Sequence, residues 1–320
     1  MNLFKRATMV AMLLAATGAA FAQAFPNKPI RIIVPYPAGG SIDMSARMIG
    51  EVMSRKLGQP VLVDNRPGAS GNIGMDYVAK SPADGYTLLM ASASLTANGH
   101  LFTKLTYDPI KAFAPVVKVA DQPNVLIVNP SLGVKNVAEL VALAKQKPGV
   151  LTYGSAGPGS TQHISAMIFM NQTGTSMLHV PYKGGAPALA DLVGGQINMM
   201  FETSPTAVPF VTSGKLLALG VTTPKRVDTL PAVPTLAEAG AKNYDYYGWI
   251  GMTAPAGTPT AVIDKLNAVV AEAVKGELRG KFAEISLMPV GDSPTEFGAF
   301  MQKDYAVYGK IVKEANIVLD

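Results

Sequence analysis

Apolar and polar positions along this chain switch repeatedly between two periods. Residues 30–34, Ile-Arg-Ile-Ile-Val, form an apolar run broken only by Arg31, the pattern of a buried strand. Behind it, Ile42, Ala46, Ile49, Met53 and Leu57 recur at helical spacing, and Gly58 stands where a left-handed residue closes a helix. Residues 61–63 and 86–91 read as strands, and 116–120 and 124–128 as two more, flanking the break Asp121-Gln122-Pro123. A second unit follows, with helices over 136–145 and 161–171 and strands over 150–153, 179–181, 197–201 and 216–221. Near residues 247–252 the chain is expected to cross back, and two helices finish it. One starts with Thr258 as cap and Pro259 at the first helical position. The other starts with the capping box Ser293-Pro294-Thr295-Glu296 and carries Phe297, Phe300, Met301, Tyr308 and Val312 on one face. The pattern predicts α/β layers with largely parallel sheets, in two lobes joined by two crossings. Ligands of such sheets bind beyond the strand C-termini.

Composition changes this picture at the N-terminus first. Lys5 and Arg6, the apolar stretch 7–20 and Ala22-Gln23-Ala24 predict a secretory signal peptide over residues 1–24, cleaved after Ala24 or, equally well, after Ala22. No later segment is long enough to span a bilayer, so the expected location is the periplasm. There is no cysteine, which excludes disulfides, thiolate metal sites and a cysteine nucleophile. Removing Lys5 and Arg6 lowers the net charge from +5 to +3, and no Lys/Arg cluster or stacking motif points to nucleic acid. The mild charge and the lack of a long coiled-coil pattern lean towards a monomer.

Two loops carry the candidate chemistry. Pro35-Tyr36-Pro37-Ala38-Gly39-Gly40-Ser41-Ile42-Asp43 joins the first strand to the first helix, where free N–H groups and the positive end of the helix dipole suit an anion. The N–H groups of Ala38, Gly39, Gly40 and Ser41 could grip a carboxylate, the glycines permitting close approach. The same residues also fit a plain tight turn with Ser41 as N-cap and Asp43 in the first turn. The second loop, Gly154-Ser155-Ala156-Gly157-Pro158-Gly159-Ser160-Thr161, adds the hydroxyls of Ser155, Ser160 and Thr161, and a cap and a ligand donor can share that helix end. Asp43 would repel a bound carboxylate unless it turns to the backbone, meets a ligand hydroxyl or ammonium, or is screened by water. Glu202 raises the same ambiguity, and Lys183 is a candidate counter-ion or simply a solvated lysine. Ser92 ends a strand in a polar loop, and Tyr36, Leu95, Tyr182 and Phe201 could offer an apolar wall or belong to the core.

Enzymatic chemistry is poorly represented. The pattern G-x-S-x-G is absent, the histidines His100, His163 and His179 lack zinc-site spacing, and no nucleotide or other cofactor fingerprint follows a strand. A Ser160–His163 dyad, in one helix turn, is the remaining hydrolase candidate.

The chain resembles the Bug family of extracytoplasmic solute receptors of tripartite tricarboxylate transporters. The resemblance rests on the two loops, with Ala46-Arg47 after the first, and on Val63-Asp64-Asn65-Arg66-Pro67-Gly68-Ala69, Asp84-Gly85-Tyr86-Thr87-Leu88, His179-Val180-Pro181-Tyr182-Lys183-Gly184, Pro234-Thr235-Leu236-Ala237-Glu238-Ala239-Gly240 and Ala254-Pro255-Ala256-Gly257-Thr258-Pro259, in the family's order. It implies a two-lobed periplasmic-binding-protein fold, Venus-flytrap and type II-like, with two crossover strands. The expected domains are 25–121, 122–248 and a return segment, 249–320, to the first. It also implies a small carboxylate ligand (mono-, di- or tricarboxylate, aromatic acids included) and transporter membrane subunits as partners. A membrane kinase served by the same capture step is the alternative. Carried over, the grip falls on Ala38, Gly39, Gly40 and Ser41, with Ser155, Gly157, Gly159, Ser160 and Thr161 opposite and ordered water assisting. Asp43 matches the position that meets amino groups in members binding amino acids. Many members have a glutamate in the following helix near where this chain has Met167.

Overall fold

The computed structural model describes residues 25–242 and 244–314; the expected signal peptide lies outside the described residues. The first strand, β1 (Ile30–Val34), is buried at every position but Arg31, because helices cover both faces of its sheet. Helix α1 (Ser41–Leu57) lays Ala46, Ile49 and Met53 against the sheet and ends at Gly58 with φ 67°, as its spacing predicts. The cap is Gly40 rather than Ser41, which is the first helical residue. Next come β2 (Val61–Asn65), α2 (Asn72–Ala79), β3 (Thr87–Ser92), α3 (Ser94–Leu101) and β4 (Phe113–Gln122). Strand β4 runs through Asp121 and Gln122, so the expected break narrows to Pro123.

Beyond Pro123 lie β5 (Asn124–Val128), α4 (Val137–Gln146), β6 (Thr152–Ser155), α5 (Thr161–Thr173), β7 (Leu178–Pro181), α6 (Gly185–Val193), β8 (Met199–Thr203), α7 (Ser204–Thr212) and β9 (Leu217–Val221). The chain then returns through β10 (Gly248–Pro255), α8 (Thr260–Lys275), α9 (Arg279–Glu284), β11 (Met288–Pro289) and α10 (Pro294–Glu314). Helix α10 carries the predicted capping box: Ser293 N–H donates to Glu296 Oε2 at 2.9 Å and Glu296 N–H to Ser293 Oγ at 3.2 Å. Helix α8 starts one residue later than expected. Thr258 Oγ1 donates to the Pro255 carbonyl instead of capping, and Pro259 occupies the cap position.

Two sheets result, in the orders β11-β4-β10-β3-β1-β2 and β7-β6-β8-β5-β9. The fold is the two-lobed arrangement of periplasmic binding proteins. Neither sheet is wholly parallel. β10 runs antiparallel to β3 and β4, and β5 antiparallel to β8 and β9. The reason is topological: each is the strand by which the chain enters a sheet from the other lobe. It enters at the edge where the parallel strands end, so it must run against them. Trp249, at the start of β10, is 1 % exposed, stacks edge-on against Phe297 and Phe300, and donates from Nε1 to Asp304 at 2.8 Å. Among the described residues no helix is long and apolar enough to cross a membrane, and no group of three or more His, Cys, Asp or Glu side chains could hold a metal.

Candidate functional site

The first loop is held from behind by Asp43. Its Oδ2 accepts from Gly39 N–H (3.0 Å) and Arg47 Nε (3.0 Å), and its Oδ1 from Arg47 Nη2 (2.9 Å) and Asn65 Nδ2 (3.0 Å). A carboxylate has about four acceptor positions, and here four donors fill them. Burial pushes the Asp43 carboxyl up, but the bonds from Arg47, Gly39 and Asn65 outweigh it and hold it below the usual range. Asp43 is therefore occupied by the protein's own donors, one from the backbone and three from the side chains of Arg47 and Asn65. Gly39 has φ 89°, a left-handed conformation that favours glycine, whereas Gly40 has φ −81° and ψ 167°. Neither glycine has an atom within 4 Å of where a Cβ would stand. Ser41 Oγ accepts from Gln122 Nε2, tying this loop to the end of β4 beside the crossing.

The second loop is packed rather than open. Ser160 caps α5, accepting from His163 N–H at 3.4 Å and donating from Oγ to the Gly157 carbonyl at 2.6 Å. The His163 ring turns away from Ser160: its Nδ1 accepts from Gly159 N–H at 3.2 Å, so the proposed Ser160–His163 dyad does not form. Ser155 Oγ instead meets His179 Nε2 at 2.7 Å and accepts from Gly157 N–H at 3.1 Å. The parallel register places Tyr153 opposite His179, and Tyr153, His179 and His163 stack in a column with ring centroids 4.8 and 4.2 Å apart. Burial drives both imidazoles down, His163 to about 3 with help from neighbouring His179, and His179 to about 4. Both are neutral near pH 7. Nothing in the sequence marks this column, which depends on strand register.

Between the loops lies a cavity of about 60 Å³, room for roughly four to six water-sized groups. Its walls bring together Ala38, Gly40, Ser41, Asp43, Ser92, Ser160, Thr161 and Glu202 from the predicted set. Gly39, which is exposed, and the buried Ser155 and Gly159 are not among the residues lining it. Gly157, Tyr182 and Lys183 line a neighbouring pocket of about 400 Å³, so the lysine stays out of the smaller cavity. Leu95 and Phe201 are fully buried core, while Tyr36 does reach the cavity wall. Gln122, Gln162, Gly185, Thr203 and Thr206 also line it, and sequence reasoning missed them. Gly184-Gly185 repeats the strand–glycine–helix signature of the two loops and could have been found by it.

One feature unites the walls. Ser41, Thr161 and Gly185 are the first residues of α1, α5 and α6, and Thr203 caps α7. Three helix N-termini, those of α1, α5 and α6, thus present the positive ends of their dipoles to one small cavity, while that of α7 is already taken, Thr203 N–H donating to Glu202 Oε1 and Ser204 N–H to the Pro123 carbonyl. No lysine, arginine or histidine is among the residues lining it. Such a site can hold an anion through neutral donors alone.

Residues 45–317 match the sequence profile of the family described as tripartite tricarboxylate transporter family receptor. Protein BugT of Bordetella pertussis is 35% identical over 325 residues, with 100% of both chains covered. Among solved structures, R. palustris Rpa4515 with adipate is similar at a TM-score of 0.90 and 38% identity, covering 92% of this chain and 100% of that one. MatC (Rpa3494) from Rhodopseudomonas palustris with bound malate is similar at a TM-score of 0.85 and 30% identity, covering 90% and 100%.

Proposed function

This chain belongs to the family of tripartite tricarboxylate transporter receptors, the Bug-type periplasmic solute-binding proteins, and from that membership we propose that it captures a small carboxylate between its lobes and delivers it to the membrane subunits of such a transporter. The convergence of three helix N-termini on a cavity that has no cation among its described lining residues carries this reading. Neutral donors suit a carrier, which must release what it binds. Ala38, Gly40 and Ser41 contribute one side of the grip, and Ser160 and Thr161 the other, with Gly39, Ser155, Gly157 and Gly159 shaping the loops. Asp43 acts as the brace of the first loop and not as a ligand group. The lobes are residues 25–121 with 249–320, and residues 122–248. They rotate about Pro123 and the start of β10, where Gln122 touches Ser41 and Gly248 lies against Thr161. Closure of the cleft is thereby linked to both loops. Export by the signal peptide and a monomeric receptor complete the proposal. Catalysis forms no part of it: the Ser160 hydroxyl is held by the Gly157 carbonyl and its own helix, and the Ser155–His179 pair is not among the residues lining the cavity.

The related structures with adipate and malate set the first acids to try. Calorimetry of residues 25–320 against mono-, di- and tricarboxylates should give a selective ligand, and Gly40→Val should weaken it at least tenfold, since each charge-assisted hydrogen bond is worth roughly 1.5–3 kcal/mol. Unchanged affinity in that variant would remove the first loop from the site. Co-purification with the transporter's membrane subunits, and not with a membrane kinase, tests the partner.

A further inference from the structure

Glu202 is the last residue but one of β8 and is 1 % exposed. Its Oε1 accepts three hydrogen bonds, from Thr203 N–H (2.8 Å), Thr203 Oγ1 (2.8 Å) and Thr206 Oγ1 (2.6 Å). Its Oε2 is buried and has no partner. The space beside Oε2 exists because residue 185 is glycine: a Cβ there would stand 2.8 Å from Oε2 and 3.3 Å from Gln162 Nε2. The carboxyl group lines the same cavity as the two loops.

Among the described residues no cation compensates it. From the other lobe the cavity presents Tyr36, whose hydroxyl is bonded to Ser92 and Ser94, and Asp43, whose charge is taken up by Arg47. Within its own lobe Glu202 faces Val125 of β5, Gln162 of α5, Gly185 of α6 and Thr206 of α7, none of them charged. His163 is turned into the ring column, and Asp191 of α6 is held by the Tyr182 hydroxyl at 2.7 Å. Burial raises the affinity of Glu202 for a proton, against the opposing hydrogen bonds of Thr206 and Thr203. With Oε1 occupied by donors, the position for that proton is Oε2.

Building on the receptor reading above, we propose that Glu202 is the specificity-determining residue of the cleft: it carries a proton on Oε2 and donates it to a carboxylate oxygen of the bound acid. An ionised Glu202 would repel that carboxylate. The site therefore takes a proton together with its ligand and prefers simple carboxylates to amino acids, whose ammonium would want the charged form.

Carbon-13 NMR of the Glu202 carboxyl group in the whole mature chain tests this directly. In the ligand-free protein its midpoint should lie above the ordinary glutamate value of about 4.3, and saturation with adipate or malate should raise it further. Calorimetry in buffers of different ionisation heat should show proton uptake, with affinity falling by up to tenfold per pH unit above the midpoint. Glu202→Gln, which keeps a donor where Oε2 stands, should bind the same acid with no proton uptake and no pH dependence. A free-protein midpoint at or below the ordinary value overturns the proposal. So does proton release on binding, tighter binding of aspartate or glutamate than of adipate and malate, or a Gln variant that keeps the wild-type pH slope. If neither acid binds, the receptor reading is what suffers, while the free-protein midpoint still decides the state of Glu202.

Discussion

A methyl group added at Gly40 would meet no atom within 4 Å, whereas one added at Gly159 would stand 2.5 Å from Leu101 Cδ1 and 2.8 Å from Asn98 Oδ1. Both glycines sit between a strand and the helix that follows it, and in sequence they look alike. Their physical roles differ. The first loop keeps Gly40 bare towards the cavity, so the space is available to a ligand. The second presses its glycine against α3 of the opposite lobe, so the space is already filled by protein. One loop has the character of a receptor surface, and the other has the character of a joint.

Substitution of Gly159 should have the largest effect and break the comparison from the packed side. At φ 77° an alanine is strained by about 1–2 kcal/mol, and overpacking against Leu101 adds about 1–3 kcal/mol. Gly159→Ala should therefore lower the melting temperature on the order of 10 °C. Combining it with Leu101→Ala should recover the packing part and leave the backbone strain, a coupling readable in a double-mutant cycle. Strictly additive effects would show that the lobes do not touch there in solution. Gly40 supplies the opposite result. Its φ of −81° accepts any side chain and its surroundings are empty, so Gly40→Val should melt within a few degrees of wild type while losing ligand affinity at least tenfold.

This division between the loops could not be read from residue order. The strand before each loop and the helix after it were legible, because Ile30–Val34 and the Ile42–Leu57 spacing have clear periods and Gly58 closes its helix in the left-handed conformation; Gly174, which closes α5 in the same way, was not read from the sequence. Asn136 caps α4 by accepting from Glu139 N–H, one residue before the helix proper. What could not be read is non-local. Helix α3 hides Ser94, Leu95, Thr96, Ala97, Asn98 and Leu101 alike, so no polar face betrays it, and Leu101 is the residue that meets Gly159. Helix α7 carries Pro209 in its interior, which argues against a helix until Pro205 at its start is recognised as a favourable first-turn residue. The directions of β5 and β10 follow from where the chain enters each sheet, and an alternation pattern has no direction. The orphaned Oε2 of Glu202 depends on which neighbours the β5–β8 register and helix α6 bring to it.

The histidine column sharpens the contrast through pH. In the unfolded chain both imidazoles titrate near the ordinary value of about 6.5, while in the fold they do so at about 3 and about 4. A depressed folded value means that the unfolded chain binds more protons between the two. The stability carried by the neutral column is therefore complete above pH 6.5 and is lost as pH falls through about 4. Melting curves should decline over that range. His163→Asn, which preserves an acceptor facing Gly159, and His179→Gln, which preserves a polar group facing Ser155, should each flatten the decline. A wild-type profile that is flat down to pH 4 would mean that the rings are charged or solvated in the folded protein. The first loop has no group titrating in this window, so its geometry should hold to lower pH.

The smallest effect is expected at Arg47, and it tests what keeps the first loop open. Arg47 binds both oxygens of Asp43, yet its side chain is 54% exposed, whereas that of Asp43 is 4% exposed. Water can replace an exposed guanidinium, so Arg47→Ala should cost less than about 1 kcal/mol of stability. Ligand affinity should stay within about threefold, because Gly39 and Asn65 still hold the carboxylate. Asp43→Ala is different in kind: it leaves the Gly39 N–H without its acceptor, a loss of roughly 1–3 kcal/mol, and frees a backbone already at φ 89°. If calorimetry instead found Arg47→Ala as damaging to binding as Asp43→Ala, the loop would owe its shape to the ion pair. It would then not owe that shape to the bonds from Gly39 and Asn65. The distinction drawn between an open first loop and a packed second one would give way to one between a charged loop and a neutral one.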